Sequence, residues 1–250
     1  MNFERHSLAE VLRKSGFDLS LGAGFFGFYA HLGFVKALEE HRLIPKKIYG
    51  SSAGAIIGAF WATGRTSEEI EEILLNIQRS HFWDPGVGAG LLRGIKYREI
   101  LKQYLPESFE ALKIPVEISV FNLGRLRTQI MQTGNLRDAV RASSAFPGLF
   151  QPVKIGNSYF VDGGLGDELA LGGRETNETL LVHAFGEKPA MRASEKKLEK
   201  QRGKKIVLNL KEIPSCGPHL MHLGHEIIER AYIQTRELLN LPPGLPRLNE

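Results

Sequence analysis

The sequence has a single cysteine, Cys216, among its 250 residues. Because a disulfide needs two cysteines, no internal disulfide framework can form, and the composition fits a reducing compartment. The residues around Cys216 offer no partner group, so we interpret it as a thiol without a chemical role.

Long apolar runs are also missing from the sequence. No run approaches the roughly 18 residues that a membrane-spanning helix needs. Residues 1–16 are charged and amphipathic and lack the apolar centre of a secretory signal peptide. These features predict a cytoplasmic protein, with any membrane contact limited to its surface.

A strong charge imbalance is absent as well, since the formal net charge is +4. Such a small excess favours solubility or a weak attraction to anionic lipid headgroups. Much of it lies in residues 187–205, a segment of mixed charge that is typical of a solvated helix or loop. No nucleic-acid-binding motif accompanies this segment, so no nucleic-acid partner is expected.

Strand-like and helix-like patterns alternate along the chain. Apolar runs typical of strands lie at 17–23, 46–52, 114–123, 179–186 and 205–210, and helical patterns lie at 29–44, 53–64, 66–78 and 225–240. This alternation predicts an α/β fold in which helices cover both faces of a mostly parallel sheet. Because there is no internal repeat or long linker, we expect residues 1–250 to form a single domain.

The first glycine-rich segment contains Gly22, Gly24 and Gly27 between a strand and a helix, in the spacing G-x-G-x-x-G. That spacing alone is typical of a loop that binds a dinucleotide. A dinucleotide site also needs an acidic residue about 20 residues later, at the end of the second strand, to bind the ribose. The second strand ends instead in Gly-Ser-Ser-Ala-Gly, which argues against a dinucleotide cofactor.

That pentapeptide is a G-x-S-x-G motif centred on Ser52, between a predicted strand and a predicted helix. This context is typical of a nucleophile elbow, a tight turn that holds its serine in a strained, exposed conformation. The turn requires very small neighbours, which are present as Gly50, Ala53 and Gly54. The start of the helix stabilises negative charge at Ser52. The alternative is an ordinary glycine-rich turn without a nucleophile.

A serine that attacks an ester also needs backbone N–H groups directed at the developing oxyanion. The glycine-rich turn at the end of the neighbouring strand offers candidates for this oxyanion hole, namely Gly22, Ala23, Gly24, Phe25 and Gly27. We therefore predict that the turn binds a transient anion rather than a pyrophosphate.

The nucleophile needs a base, and none of the eight histidines lies in a recognisable triad context. Asp162 ends a short strand and is followed by Gly163 and Gly164, small residues that allow its carboxylate to approach another loop. The alternative interpretation is a common Asp-Gly turn. We interpret Asp167 and Glu168 as solvated, although either is an alternative base.

Together, the three motifs resemble those of the patatin-like phospholipase family, in the same order and at similar spacing. Further similar stretches lie at 90–94, 109–123 and 140–165. The resemblance spans about residues 17–165, and the C-terminal strands and helix extend the expected domain to 241. It implies a fold related to that of the α/β-hydrolases.

The resemblance further implies a serine acyl hydrolase of the lipase or phospholipase A type, with a Ser–Asp dyad and no histidine. Ser52 is then the nucleophile that forms an acyl-enzyme, and Asp162 is the base that takes its proton. Because a free aspartate is a weak base, burial must raise its pKa and the carboxylate must contact the Ser52 hydroxyl. The expected partner is a lipid or another ester substrate, and neither a metal nor an organic cofactor is required.

Two departures from the family pattern leave other functions open. The glycine loop reads Phe25-Phe26-Gly27 where family members carry an arginine or lysine, and the segment after Gly164 lacks the usual proline. A soluble esterase, thioesterase or acyltransferase on the same dyad is one alternative. A lipid-binding or partner-binding protein that kept the fold without catalysis is the other.

The glycine-rich and apolar segment 81–97 suits either a mobile lid, with membrane contact through Phe82 to Leu92, or a packed irregular connection. We interpret Ser143 and Ser144 as loop formers. The aromatic residues of the glycine loop and the helix after it, Phe25, Phe26, Phe28 and Tyr29, are candidates for an acyl pocket or for the core.

Three histidines near the C-terminus are spaced three residues apart, His219, His222 and His225. Strong zinc signatures pair histidines at i and i+4 and add a further ligand. We therefore expect capping and packing roles for these histidines and no metal site.

Overall fold

The computed structural model of the chain describes residues 6–184 and 196–243. The strands are β1 (Asp18–Leu21), β2 (Ile48–Ser51), β3 (Gly90–Leu92), β4 (Val116–Asn122), β5 (Arg127–Met131), β6 (Gly148–Phe150), β7 (Val153–Ile155), β8 (Ser158–Val161), β9 (Leu180–Ala184) and β10 (Lys205–Asn209). The helices are α1 (Leu8–Ser15), α2 (Phe28–Glu40), α3 (Ala53–Ala62), α4 (Ser67–Asn76), α5 (Arg79–Phe82), α6 (Ile95–Tyr104), α7 (Leu136–Ser143) and α8 (Gly224–Asn240). The basic segment predicted to be solvated lies outside the described residues as far as residue 195.

The central sheet has the strand order β10-β9-β1-β2-β4-β8-β7, and β5 pairs with β4 beside this path. The five strands from β10 to β4 are parallel, whereas β5, β7 and β8 are added in antiparallel pairs. The prediction of an α/β fold with a mostly parallel sheet flanked by helices is therefore confirmed. The turns after β1 and β2 lie at the carboxyl end of the sheet, where open α/β sheets bind their ligands.

β2 and β8 share one edge of β4, and β5 occupies the other edge. Ser51 of β2 pairs with Ser119, and Val161 of β8 pairs with Phe121. Because β2 runs parallel to β4 and β8 runs antiparallel to it, the carboxyl ends of β2 and β8 point towards each other. They meet beside Val120, so the residues that follow these two strands are brought together.

Local sequence signals account for the helices that flank the sheet. α1 and α4 begin with capping boxes, in which Ser7 and Glu10, or Thr66 and Glu69, exchange hydrogen bonds between side chain and backbone. α3 is apolar on all sides because nearly all of its residues are buried. None of the helices in the described ranges is long and apolar enough to cross a membrane.

Both faces of the sheet are buried, as the alternating residues of β9 illustrate. Leu181 packs into the main core, whereas Leu180 and Val182 belong to a second apolar cluster with Leu169 and Leu171. Successive side chains of a strand point to opposite faces. Burial of both faces explains why apolar residues occupy the successive positions Leu180, Leu181 and Val182 of β9 instead of alternating with polar ones.

The glycine-rich segment before α6 is held in place by Asp84. This carboxylate is buried and accepts hydrogen bonds from three consecutive backbone N–H groups at the start of α6. Phe82 and Leu92 are buried, and Val87 and Leu91 are exposed. These contacts favour the packed connection over the mobile lid, and they remove the two ends of the predicted membrane contact from the surface.

Candidate active site

Ser52 lies in the turn between β2 and α3 and adopts φ +52° and ψ −116°. A positive φ is unusual for a residue with a side chain and indicates a strained backbone that its surroundings must stabilise. The Ala55 and Ile56 N–H groups donate to the Ser52 carbonyl and close the turn. A Cβ at Gly50 would lie 2.7 Å from Ala55 Cα, and a Cβ at Gly54 would lie 2.7 Å from Leu21 Cβ. The close packing explains why these neighbours are glycines.

The Ser52 hydroxyl donates a hydrogen bond to Asp162, with 2.6 Å between Oγ and Oδ2. The other carboxylate oxygen, Oδ1, accepts from the Gly164 N–H at 2.8 Å. Asp162 is 5% exposed, and this burial raises the pKa of its carboxyl from 3.8 to about 6, although the hydrogen bonds from Ser52 and Gly164 oppose the rise. The pair has the geometry of a nucleophile and its base.

Small residues also surround Asp162. A Cβ at Gly163 would lie 2.7 Å from the Ser119 carbonyl carbon, and a Cβ at Gly164 would lie 2.7 Å from Ala23 Cβ. The Asp-Gly-Gly motif therefore packs directly against β4 on one side and the glycine loop on the other. This close approach distinguishes it from a solvent-exposed Asp-Gly turn.

The glycine loop after β1 presents fewer free amides than predicted. The Gly22 N–H donates to the His183 carbonyl, and the Ala23 N–H donates to the Glu168 carbonyl. The Gly27 N–H donates to the Gly24 carbonyl. Three of the five predicted oxyanion-hole residues thus already donate their amides to backbone carbonyls, Gly27 within the loop and Gly22 and Ala23 outside it, which corrects the prediction for those three donors. Among the described residues, the Gly24 and Phe25 N–H groups have no acceptor, and these two amides remain candidates.

Two buried histidines support the glycine loop from behind. His31 Nε2 lies 2.8 Å from the Gly22 carbonyl, and His31 Nδ1 lies 2.8 Å from His183 Nδ1. Because a carbonyl oxygen only accepts, His31 carries its proton on Nε2, and His183 donates to His31 Nδ1. Burial lowers the pKa of His31 to about 4 and also lowers the pKa of His183. Both rings are therefore neutral at pH 7 and position the loop.

Ser143 contributes to the site, although the sequence suggested a loop former. It is the last residue of α7, and its hydroxyl accepts from the Ser52 N–H at 2.9 Å and donates to the Ser119 carbonyl at 2.7 Å. The hydroxyl thus ties the elbow to β4. The capping residue Asn135, whose side chain accepts from the Asp138 N–H, is the sequence signal that predicts this helix.

Asp167 is buried, which corrects the expectation from the sequence that this carboxylate is solvated. Its carboxylate is 1% exposed and accepts hydrogen bonds from the Ser119 hydroxyl at 2.6 Å and from the Leu171 and Gly172 N–H groups. A buried carboxylate is tolerated where such donors replace water. Because these donors occupy Asp167, it is not available as a base for Ser52, whereas Glu168 is partly exposed and lines the cavity described next.

An apolar cavity of about 390 Å³ opens beside Ser52 and Asp162. Its walls are mostly aromatic and aliphatic, including Phe26, Phe28, Ile56, Phe60, Leu101 and Phe150. Phe25, Phe26 and Phe28 line the cavity, whereas Tyr29 is buried in the core. Of the described residues that line it, none is lysine or arginine. The cavity therefore suits an uncharged chain.

The three C-terminal histidines are exposed, and two of them contact other side chains. His219 contacts Arg79 at 3.2 Å, and His225 contacts Glu71 at 3.0 Å. Within residues 6–184 and 196–243, no group of three or more His, Cys, Asp or Glu side chains could hold a metal ion. The spacing of these histidines thus corresponds to surface contacts.

Comparison with known proteins identifies the family of the chain and relatives with similar sequences. A family model described as patatin-like phospholipase matches residues 19–172. An uncharacterized NTE family protein of Mycobacterium tuberculosis is 34% identical over 157 residues, which are 61% of this chain and 44% of that protein. A lysophospholipase of Emericella nidulans is 28% identical over 180 residues, 68% of this chain and 12% of that protein. The chain therefore spans less than half the length of these relatives.

Among solved structures, VipD from Legionella pneumophila is similar with a TM-score of 0.58 and 16% identity. The similarity covers 90% of this chain and 66% of the VipD chain. At this level of identity the similarity concerns the fold alone.

Proposed function

Because the chain belongs to the patatin-like phospholipase family, we propose that it is a serine hydrolase of lipid carboxylic esters. The observation that carries the proposal is the 2.6 Å contact between Ser52 Oγ and Asp162 Oδ2 beside an apolar cavity. The similarity to a fungal protein named lysophospholipase supports a lipid ester as the class of substrate.

In the first half of the proposed reaction, Ser52 Oγ attacks the ester carbonyl and its proton passes to Asp162 Oδ2. The carbonyl oxygen gains the negative charge and accepts hydrogen bonds from the Gly24 and Phe25 N–H groups. When the tetrahedral intermediate collapses, the bond to the alcohol oxygen breaks and Asp162 returns the proton to that oxygen. The alcohol leaves, and the acyl group remains bonded to Ser52.

In the second half, water replaces the alcohol and attacks the acyl-enzyme. Asp162 takes one proton from the water and then donates it to Ser52 Oγ as the acyl bond breaks. The products are a carboxylic acid and the free serine. A base whose pKa is about 6 is well suited to both directions of this transfer near neutral pH.

We expect a fluorophosphonate probe to label the protein at Ser52, because the armed hydroxyl attacks phosphorus as it attacks a carbonyl. Ser52→Ala should lose the label, whereas the matched variant Ser51→Ala should keep it. The Ser51 hydroxyl is fully buried and has no hydrogen-bond partner among the described residues, so its removal costs little. Labelling is measured on gels beside a panel of lipid esters and short water-soluble esters.

The outcomes distinguish the proposed hydrolase from the alternatives. Faster turnover of short esters than of lipid esters would favour the soluble esterase. A folded parent protein that takes no label, with or without lipid vesicles, would contradict hydrolysis and favour a binding protein.

Peripheral contact with a lipid surface is part of this proposal, and the residues expected to make the contact lie at the rim of the cavity. Phe25 is 52% exposed and Phe146 is 46% exposed, and their ring centres are 5.3 Å apart. Both residues line the cavity. Exposed aromatic side chains at the mouth of an apolar cavity are expected to enter a lipid interface, where burial of their surface is favourable.

The double variant Phe25→Ser/Phe146→Ser, made in the Ser52→Ala background to prevent hydrolysis, is expected to bind vesicles at least about 10-fold more weakly. The control is Ile44→Ser, which removes a similarly exposed side chain (59%) from the loop before β2, at the opposite end of the sheet. Co-sedimentation with anionic and zwitterionic vesicles measures the effect. Equal losses in the two variants would contradict a role for the rim.

A further inference from the structure

The cavity contains a polar pair that the proposed reaction does not use. Tyr97 on α6 and Ser144 after α7 both line the cavity with Ser52 and Asp162. The Tyr97 hydroxyl lies 2.9 Å from Ser144 Oγ. A polar pair in a mostly apolar wall is a feature that fixes the orientation of a ligand.

The direction of the hydrogen bond follows from the other partners of Ser144. Its hydroxyl proton is donated to the Val140 carbonyl at 2.7 Å. A serine hydroxyl has one proton, so the Tyr97 hydroxyl is the donor in the contact between the two side chains. No group among the described residues donates to the Tyr97 oxygen, which therefore keeps a free lone pair.

The phenol remains protonated under ordinary conditions. Burial raises the pKa of Tyr97, and the negative charge of Asp162 raises it further. The phenol lines the same cavity as Ser52 and Asp162. Tyr97 is thus a neutral acceptor in the wall of the cavity that Ser52 and Asp162 also line.

The other ionisable side chains that line the cavity among the described residues, Asp162 and Glu168, are acidic and place no positive charge beside this acceptor. Both oxygens of Asp162 accept hydrogen bonds from Ser52 and Gly164. No lysine or arginine lines the cavity in the described part of the chain. A ligand group that satisfies Tyr97 must therefore supply its own proton donor without carrying a negative charge.

We propose that Tyr97, oriented by Ser144, is a subsite for a free hydroxyl group of the substrate alcohol. This inference rests on the proposed ester hydrolysis and names its substrate class: partially acylated polyols that carry a hydroxyl near the ester. Esters whose alcohol has no free hydroxyl leave the Tyr97 oxygen without a donor. The pair thus contributes to specificity and takes no part in breaking the ester bond.

Two ether probes test the subsite without any hydrolysis. One is the decyl ether of glycerol, which has two hydroxyls, and the other is the same compound with both hydroxyls methylated. Their dissociation constants are measured by calorimetry with the parent protein and with Tyr97→Phe. We expect the preference for the hydroxyl probe to fall about 5-fold in Tyr97→Phe, which corresponds to the loss of one hydrogen bond.

Two further variants make the test specific. In Ser144→Ala the Tyr97 hydroxyl loses its acceptor and can donate its hydrogen bond to an ether oxygen of the ligand. The affinity for the methylated probe should therefore rise relative to the affinity for the hydroxyl probe. Tyr104→Phe is the matched control, because Tyr104 lies on the same helix, packs near Phe60 and does not line the cavity. The preference of Tyr104→Phe for the hydroxyl probe should equal that of the parent protein.

An unchanged preference in Tyr97→Phe would overturn the subsite, and so would failure of the parent to bind either probe up to the solubility limit. Fluorophosphonate labelling of the same samples reports on the hydrolase separately. If the protein is labelled but shows no preference for the hydroxyl probe, the proposed hydrolysis stands and the subsite is rejected. If it shows the preference but is not labelled, the subsite stands and the proposed hydrolysis is rejected.

Discussion

Asp162→Asn is expected to lower kcat by roughly 10³–10⁴-fold while the protein stays folded. An asparagine can keep the hydrogen bond from the Gly164 N–H through its oxygen. Its amide nitrogen, however, donates to Ser52 Oγ, so the serine proton has no base to accept it. The change is measured as kcat with a simple alkyl ester, which separates the chemical step from substrate specificity.

Glu168→Gln is the companion variant, because Glu168 also lines the cavity and was an alternative base in the sequence. We expect a much smaller loss than in Asp162→Asn, since the Ser52 hydroxyl donates its hydrogen bond to Asp162. A reversed order, with Glu168→Gln the more damaging change, would reject Asp162 as the base.

Stability measurements on Asp162→Asn test whether its loss of activity comes from the missing base or from unfolding. The folded protein holds the Asp162 proton up to about pH 6, whereas the unfolded chain releases it near 3.8. The carboxyl therefore favours folding at low pH, and this contribution is lost as the pH rises through about 6. Asp162→Asn avoids that loss, so at about pH 8 it should be as stable as the parent or more stable, by at most about 3 kcal/mol.

The dependence of activity on pH in the parent protein is a second test of Asp162 as the base. Only the ionised carboxylate accepts the serine proton, so kcat/KM should rise as the pH rises through about 6 and then level off. A rate that does not change between about pH 5 and pH 8 would argue against this base.

Gly54→Ala is expected to lower the free energy of unfolding by at least about 3 kcal/mol and to abolish activity. The new methyl group would lie 2.7 Å from Leu21 Cβ and closer still to the Leu21 carbonyl. The obstacle is backbone of β1, which cannot move aside without disturbing the sheet and the glycine loop that follows it. For a chain of this size, the melting temperature should fall by roughly 6–12 °C.

Gly124→Ala is the control for the glycine-to-alanine change. A Cβ at Gly124 would meet only Asn122 Oδ1, at an ordinary contact distance of 3.6 Å. The control should melt within a few degrees of the parent, since surface changes away from special contacts cost about 0.5 kcal/mol or less. Similar melting temperatures for Gly54→Ala and the parent would show that α3 does not approach β1 this closely.

Much of the fold was predictable because it depends on local signals. The periodicity of apolar residues indicates which segments are buried, and turn and capping residues such as Thr66 limit the helices. The order and spacing of the glycine motifs likewise belong to the chain itself. These signals identified Ser52 and Asp162 as candidates before any contact between them was known.

The remaining features of the site depend on groups that are distant in sequence. The burial of Asp167 is tolerated because donors such as the Ser119 hydroxyl, 48 residues away, replace water around its carboxylate. Ser143 binds the elbow of Ser52 across 91 residues. The Ala23 amide is occupied by the carbonyl of Glu168, which no local pattern indicates.

The sequence by itself determined the kind of fold and the candidates for the nucleophile and its base, Ser52 and Asp162. The tertiary structure alone decided that Ser52 and Asp162, 110 residues apart, lie within hydrogen-bond distance. The physical reason is the register of β4, whose one edge pairs with β2 and β8 in opposite directions, so that their carboxyl ends meet. The same assembly buries Asp162, and this loss of water raises the pKa of its carboxyl to about 6.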